Sequence, residues 1–188
     1  MTSVAERLVT AAEFERLPNP PAGKLELVRG RVIEVAPPGP WHGKQAVEIS
    51  AELRAFVRAN RLGEVRVETG YWLSHDPDTQ RGPDVSWVSP ERLATERLYY
   101  GAVDQAPNLA VEIISPNETD REVAEKVGQY LAAGVERVWV VRREAQTVTV
   151  HRPNGDAHTY HAGDTLTSED AGFPVEGFAL PLAELFAD

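Results

Sequence analysis

The sequence predicts an α/β or α+β layered fold, a mixed central β-sheet flanked by helices. Three observations predict it. From His42 to Asn60, residues Ala46, Ile49, Ser50, Leu53, Phe56 and Val57 recur at three- and four-residue spacing, as on an amphipathic helix. The run "NLAVEIIS", which begins at Asn108, is apolar on both faces except at Glu112, the pattern of a central strand covered from both sides. A second helix-period segment at 119–133 separates it from the strand-like "ERVWVV", so 108–142 reads as a βαβ crossover.

The remaining elements follow in chain order. Thr10 with Glu13 three residues on forms a capping box for a short helix. The prolines of "PNPPAG" at 18–23 end it, because proline cannot continue a helix. "KLELVRGRVIEV" alternates about Arg29-Gly30 and reads as a hairpin over 24–35. Gly63 stops the long helix. "EVRVETGYWLS" reads as one strand over 64–73 with a bulge at Gly70, and "HDPDTQRGP" as a loop. "DVSWV" is a strand. Ser89 and Pro90 cap and open a short helix, and "YYGAVDQAP" is irregular.

Thr119 and Glu122 form a second capping box, and Gly134 is the matching C-terminal stop. "ERVWVV" and "QTVTVHR" are strands joined by a short turn, and Asn154-Gly155 signals a hairpin into "DAHTYH". The tail "GFALPLAELFAD" reads as a short helix. No repeat or linker interrupts the chain. One domain over 1–188 is therefore expected: an N-terminal helix and hairpin at about 10–35, a core at about 42–152, and a C-terminal hairpin and tail at about 153–188.

Composition narrows the function classes. There is no cysteine, which excludes disulfides and thiolate chemistry. The net charge of −10 argues against a broad basic surface and so against nucleic-acid binding by charge alone. A local basic groove built from Arg121, Lys126, Arg137, Arg142 and Arg143 is compatible with it. "MTSVAERLVTAAEF" lacks the apolar core of a signal peptide, and no run is long enough to span a bilayer, so a cytoplasmic protein is expected. Trp41, Trp72, Trp87 and Trp139 read as core or rim aromatics.

Two acids stand where a strand normally carries apolar residues: Asp84 in "RGPDVSWV" and Glu112 in "NLAVEIISP". A buried carboxylate is costly unless it is paired, protonated or bound to a metal. If their strands are neighbours, the two acids converge at one sheet end. A hard divalent ion, Mg²⁺ or Mn²⁺, would relieve their repulsion. Arginine partners or backbone amides would do so equally well, and both readings stay open. Lys126 sits roughly 60° from the centre of its helix's apolar stripe, so its stem can run along the sheet towards the same end. A solvated boundary lysine is the plainer account of it.

The order Pro83-Asp84, then Glu112 inside "VEIISP", then "EKVGQYLAAGVERVWVV" resembles the PD-(D/E)XK nuclease superfamily, and within it the Uma-type branch of restriction endonucleases. "KLELVRGRVIEV", "WHGKQAVEIS" and "GFALPLAELF" extend the resemblance over nearly the whole chain. It implies a restriction endonuclease-like fold. It also implies that Asp84, Glu112 and the carbonyl of Ile113 bind the metal, with Glu26 and His42 in the same pocket. The lysine usual two residues after the glutamate is replaced by Ile114, and the resemblance points to Lys126 instead. The arginine usual before Pro-Asp is replaced by Gly82, with Arg81 one place earlier.

Two functions are thus expected in competition. One is a Mg²⁺-dependent endonuclease acting on DNA. The other is a catalytically quiet module of the same fold, used in binding or assembly. A homodimer suits either.

Overall fold

The structure is a computed structural model that describes residues 7–18 and 20–187. Residues 1–6, Asn19 of the predicted proline-rich loop, and Asp188 lie outside the described residues.

The described residues fold as two six-stranded sheets and one two-stranded sheet (Thr165–Thr167 with Ala179–Pro181), with helices packed on them. Helix α1 (Ala11–Phe14) precedes the hairpin β1 (Lys24–Val28) and β2 (Arg31–Val35). The long helix α2 (Pro40–Asn60) leads to β3 (Glu64–Val67), β4 (Tyr71–Ser74), β5 (Thr79–Arg81) and β6 (Val85–Val88). After α3 (Pro90–Thr95) come β7 (Leu98–Tyr99), β8 (Ala102–Val103) and β9 (Leu109–Ile113). Helix α4 (Asp120–Ala132) crosses to β10 (Arg137–Arg142), followed by β11 (Thr147–His151) and β12 (Ala157–His161). The chain closes with β13 (Thr165–Thr167), α5 (Ser168–Ala171), β14 (Ala179–Pro181) and α6 (Leu182–Leu185). No helix is long and apolar enough to cross a membrane among the described residues.

The first sheet has the order β12-β11-β10-β9-β6-β3. Strands β9 and β10 run parallel, joined by α4, so the predicted crossover is present. Both faces of β9 are covered, as its pattern requires. Leu109, Val111 and Ile113 pack with Ile49, Leu53 and Val57 of α2 and with Trp87 and Trp139. Ala110 and Ile114 pack with Val123, Val127 and Tyr130 of α4. Glu112 therefore stands on the α4 face.

The capping boxes at Thr10 and Thr119 are both formed. Arg61, in the left-handed region at φ +57°, ends α2 in place of the expected Gly63, which follows two residues on. At Gly63, a φ of +99° and the approach of the Val88 carbonyl oxygen, 2.1 Å from where a Cβ would sit, restrict the position to glycine.

The second sheet, ordered β2-β1-β5-β4-β8-β7, differs most from expectation. Residues 64–73 are not one strand with a bulge at Gly70. They form β3 in the first sheet and β4 in the second, and Glu68, in the left-handed region at φ +50°, turns the chain between them. The loop expected after β4 contains β5, and the segment read as irregular supplies β8 and part of β7. These strands are only two or three residues long, too short to show any periodicity. A hydrogen bond of 2.8 Å between Tyr71 Oη and Ser86 Oγ ties β4 of one sheet to β6 of the other.

Candidate functional site

The antiparallel register of β6 and β9 pairs Val85 with Val111. Asp84 and Glu112 are the residues next to that pair, at the same end of the two strands. Their backbones meet where Asp84 N–H donates to the Val111 carbonyl at 3.1 Å. Asp84 and Glu112 line a pocket of about 320 Å³ together with Ile113, Glu26, His42 and Lys126. All six residues singled out from the sequence thus reach one cavity.

Each group in it has a defined partner. The Ile113 amide donates to Asp84 Oδ2 at 2.6 Å, and His42 Nε2, from the first turn of α2, lies 3.2 Å from the same oxygen. That pairing lifts the His42 imidazole above its ordinary pKa, against the opposing effect of burial. Lys126, on α4, donates to Glu112 Oε2 at 3.1 Å and to Glu118 Oε1 at 2.6 Å. Tyr130, one helical turn further along α4, donates to Glu112 Oε1 at 2.6 Å.

Burial is the largest influence on Glu112, and it pushes the carboxyl up to about 7. Lys126 opposes that rise, whereas the nearby charges of Asp84 and Glu26 add to it. Burial also works against the Lys126 ammonium, but Glu112 and Glu118 outweigh it and hold the lysine above its ordinary value.

Glu26 is 4% exposed and already committed. Its Oε2 accepts from Arg81 Nη1 at 2.6 Å and its Oε1 from the Gly82 amide at 3.2 Å. Arg81 in turn donates to Gln129 of α4 at 2.9 Å. Although one place removed from the Pro-Asp pair, this arginine neutralises Glu26, which lines the pocket.

The donor set suits a hard cation. Two carboxylates lining one pocket provide oxygen ligands, and the charge of Asp84 adds to the burial that raises Glu112, which a divalent ion would offset. Among the described residues, no three His, Asp or Glu side chains converge as metal ligands.

Residues 11–183 match the model of the Uma2 family, described as "Putative restriction endonuclease". The chain belongs to the Uma2 family. Among solved structures, the fold of this Uma2 chain is similar to a crystal structure from Anabaena variabilis, described as a putative nuclease belonging to DUF820. The two are 22% identical with a TM-score of 0.77, over 95% of this chain and 97% of that one. Among curated proteins none matches. The family model carries the nuclease description, and the structural likeness shows the fold.

Three charged residues of this Uma2 pocket escaped the sequence reading: Lys24, Glu68 and Glu118. Lys24 Nζ donates to Glu68 Oε2 and to the Gly82 carbonyl, each at 2.6 Å. Lys24 lies two residues before Glu26 on β1, and that spacing, which puts both on one side of a strand, was a usable signal. Glu118 accepts from the Ser115 amide at 2.9 Å, a local turn contact that gives no hint of a pocket. Nothing local marks Glu68. Of the five cations proposed for a basic groove, Lys126 enters this pocket and Arg142 and Arg143 line the adjoining one. Arg137 stands at the opposite end of β10 and donates to the Glu169 carbonyl.

Proposed function

We propose that this Uma2 chain is a metal-dependent endonuclease that hydrolyses phosphodiester bonds in DNA. One observation carries the reading: Asp84 and Glu112 line one pocket, with Lys126 3.1 Å from Glu112. Asp84, Glu112 and the Ile113 carbonyl would hold Mg²⁺ or Mn²⁺. When bound, such an ion neutralises phosphate charge and acidifies a coordinated water.

The rest of the chemistry falls to the chain's own groups. Water attacks phosphorus, the bond to one sugar oxygen breaks, and that oxygen takes up a proton. Lys126, kept protonated by Glu112 and Glu118, offsets the negative charge that grows on the phosphate or orients the water. His42, with Nε2 3.2 Å from Asp84 Oδ2, steadies that carboxylate. Glu26, neutralised by Arg81, shapes the wall. A cytoplasmic location and a homodimeric state belong to the same proposal.

Glu118 favours a second reading. It lies closer to Lys126 than Glu112 does, and an ammonium bound by two carboxylates suits a quiet pocket that serves binding or assembly. One experiment separates the two: incubation of single-stranded and duplex DNA and of RNA with the purified chain and Mn²⁺ or Mg²⁺, beside Asp84→Ala. Cleavage that requires the metal and is lost in Asp84→Ala supports the nuclease. Absence of cleavage on every substrate supports the quiet module.

A further inference from the structure

The acidic pocket adjoins a second, larger concavity of about 750 Å³, and the two share His42, Ser115 and Glu118. Trp41, at the start of α2, forms one wall. Arg142 and Arg143, where β10 ends, form another. The Arg143 guanidinium carbon lies 5.2 Å from the centre of the Trp41 ring. Trp41 is the rim tryptophan among the four; Trp72, Trp87 and Trp139 are buried. An indole and a guanidinium together offer flat, polarisable surface to a ring of similar shape.

The charge around the groove is suited to an anion attached to such a ring. Arg142 holds Asp120 at 2.8 Å, but the Asp120 side chain is 93% exposed, and a surface pair of that kind contributes little. A phosphate can take that carboxylate's place. Gly39 gives α2 no side-chain cap, and its first turn carries no acid, so the positive end of a 21-residue helix adds to the same wall. Glu144 on the rim and the overall charge of −10 oppose indiscriminate binding of polyanions. Affinity must then come from stacking more than from charge.

We propose that this groove binds an unpaired base of a nucleic-acid strand. The base stacks on Trp41 and Arg143, and the backbone runs past Ser115 into the acidic pocket. The inference deepens the nuclease reading and rests on it for the class of ligand. It makes single-stranded DNA, or a single-stranded end or flap, the preferred substrate, because bases inside a duplex already stack on each other and cannot offer a face to Trp41.

The test is fluorescence anisotropy of the full chain in EDTA at one fixed, low salt concentration. The probes are a fluorescein-labelled oligothymidylate and the same strand annealed to its complement. The single strand should bind about tenfold or more tightly than the duplex, and Trp41→Ala or Arg143→Ala should weaken single-strand binding by about tenfold or more. Trp41→Phe should stay within about threefold of the native chain, because it keeps a stacking face. Duplex binding should not change in any variant. Equal affinity for the two probes, unchanged binding in Arg143→Ala, or no binding of either probe up to on the order of 100 µM overturns the inference.

Arg143 is exposed, so its variant decides the matter even if Trp41→Ala fails to fold. The outcomes also separate this inference from the reading it rests on. Cleavage lost in Asp84→Ala but indifferent to Trp41 and Arg143 overturns the groove alone. Trp41- and Arg143-dependent binding by a chain that cleaves nothing overturns the nuclease alone.

Discussion

Lys126 donates to Glu112 Oε2 across 3.1 Å, from the helix that follows the strand on which Glu112 stands. Fourteen residues of chain separate the two groups. Ile114, two residues after Glu112, is buried and packed against α4. The ammonium that meets the Glu112 carboxylate comes from the crossover helix.

Lys126→Ala should leave the fold nearly intact. Glu112 then takes up a proton and keeps its hydrogen bond from Tyr130, so no bare charge remains in the core. Cleavage should fall by on the order of 10²-fold or more, the scale for losing a preorganised electrostatic group. Lys126→Arg should not restore it, because a broad planar guanidinium does not replace a compact ammonium. Steady-state cleavage rates of the three proteins check this. A wild-type rate in Lys126→Ala would assign the lysine to the surface.

Mg²⁺ should raise the melting temperature. A ligand that binds only the native state, at about a hundredfold excess over its Kd, contributes about 2.7 kcal/mol, or roughly 5 to 10 °C for a chain of this size. Asp84→Asn should abolish the rise. Thermal melts with and without Mg²⁺ measure it, and an undiminished rise in the mutant moves the ion to another site.

The pH dependence of the metal-free chain carries the signature of Glu112. Its folded pKa, pushed up to about 7, lies above the ordinary 4.5. The native state therefore binds the proton more tightly than the unfolded chain does. The stability this contributes is fully present below about 4.5 and is lost as pH rises towards about 7. Glu112→Gln removes the dependence. Denaturant titrations of native and mutant chains in EDTA should show their stability difference shifting in the mutant's favour by on the order of a few kcal/mol between those limits. A difference independent of pH would contradict the burial-driven shift.

Arg81→Met should cost about 3 to 5 kcal/mol, because it strands the buried Glu26 carboxylate without its charge partner. Adding Glu26→Leu should recover much of that loss, since two apolar groups of similar volume often replace a buried pair without penalty. Urea unfolding of the single and double mutants checks both steps. Additive losses would show that the two side chains act independently.

The sequence by itself determined the elements whose signals are local. Both capping boxes, α2 from His42 to Asn60, and the crossover β9–α4–β10 could be read from it because caps and periodicity act within a few residues. The two acids were legible for a related reason: a charge inside an apolar run is conspicuous wherever the run folds. Only the tertiary structure decided the second sheet, where β5, β7 and β8 are held by partners far along the chain rather than by any pattern of their own. It also decided who neutralises whom. Arg81 meets Glu26 across 55 residues and Lys24 meets Glu68 across 44. An ion pair imposes no periodicity on either partner, so its two ends become recognisable only when the packing of sheets and helices brings them together.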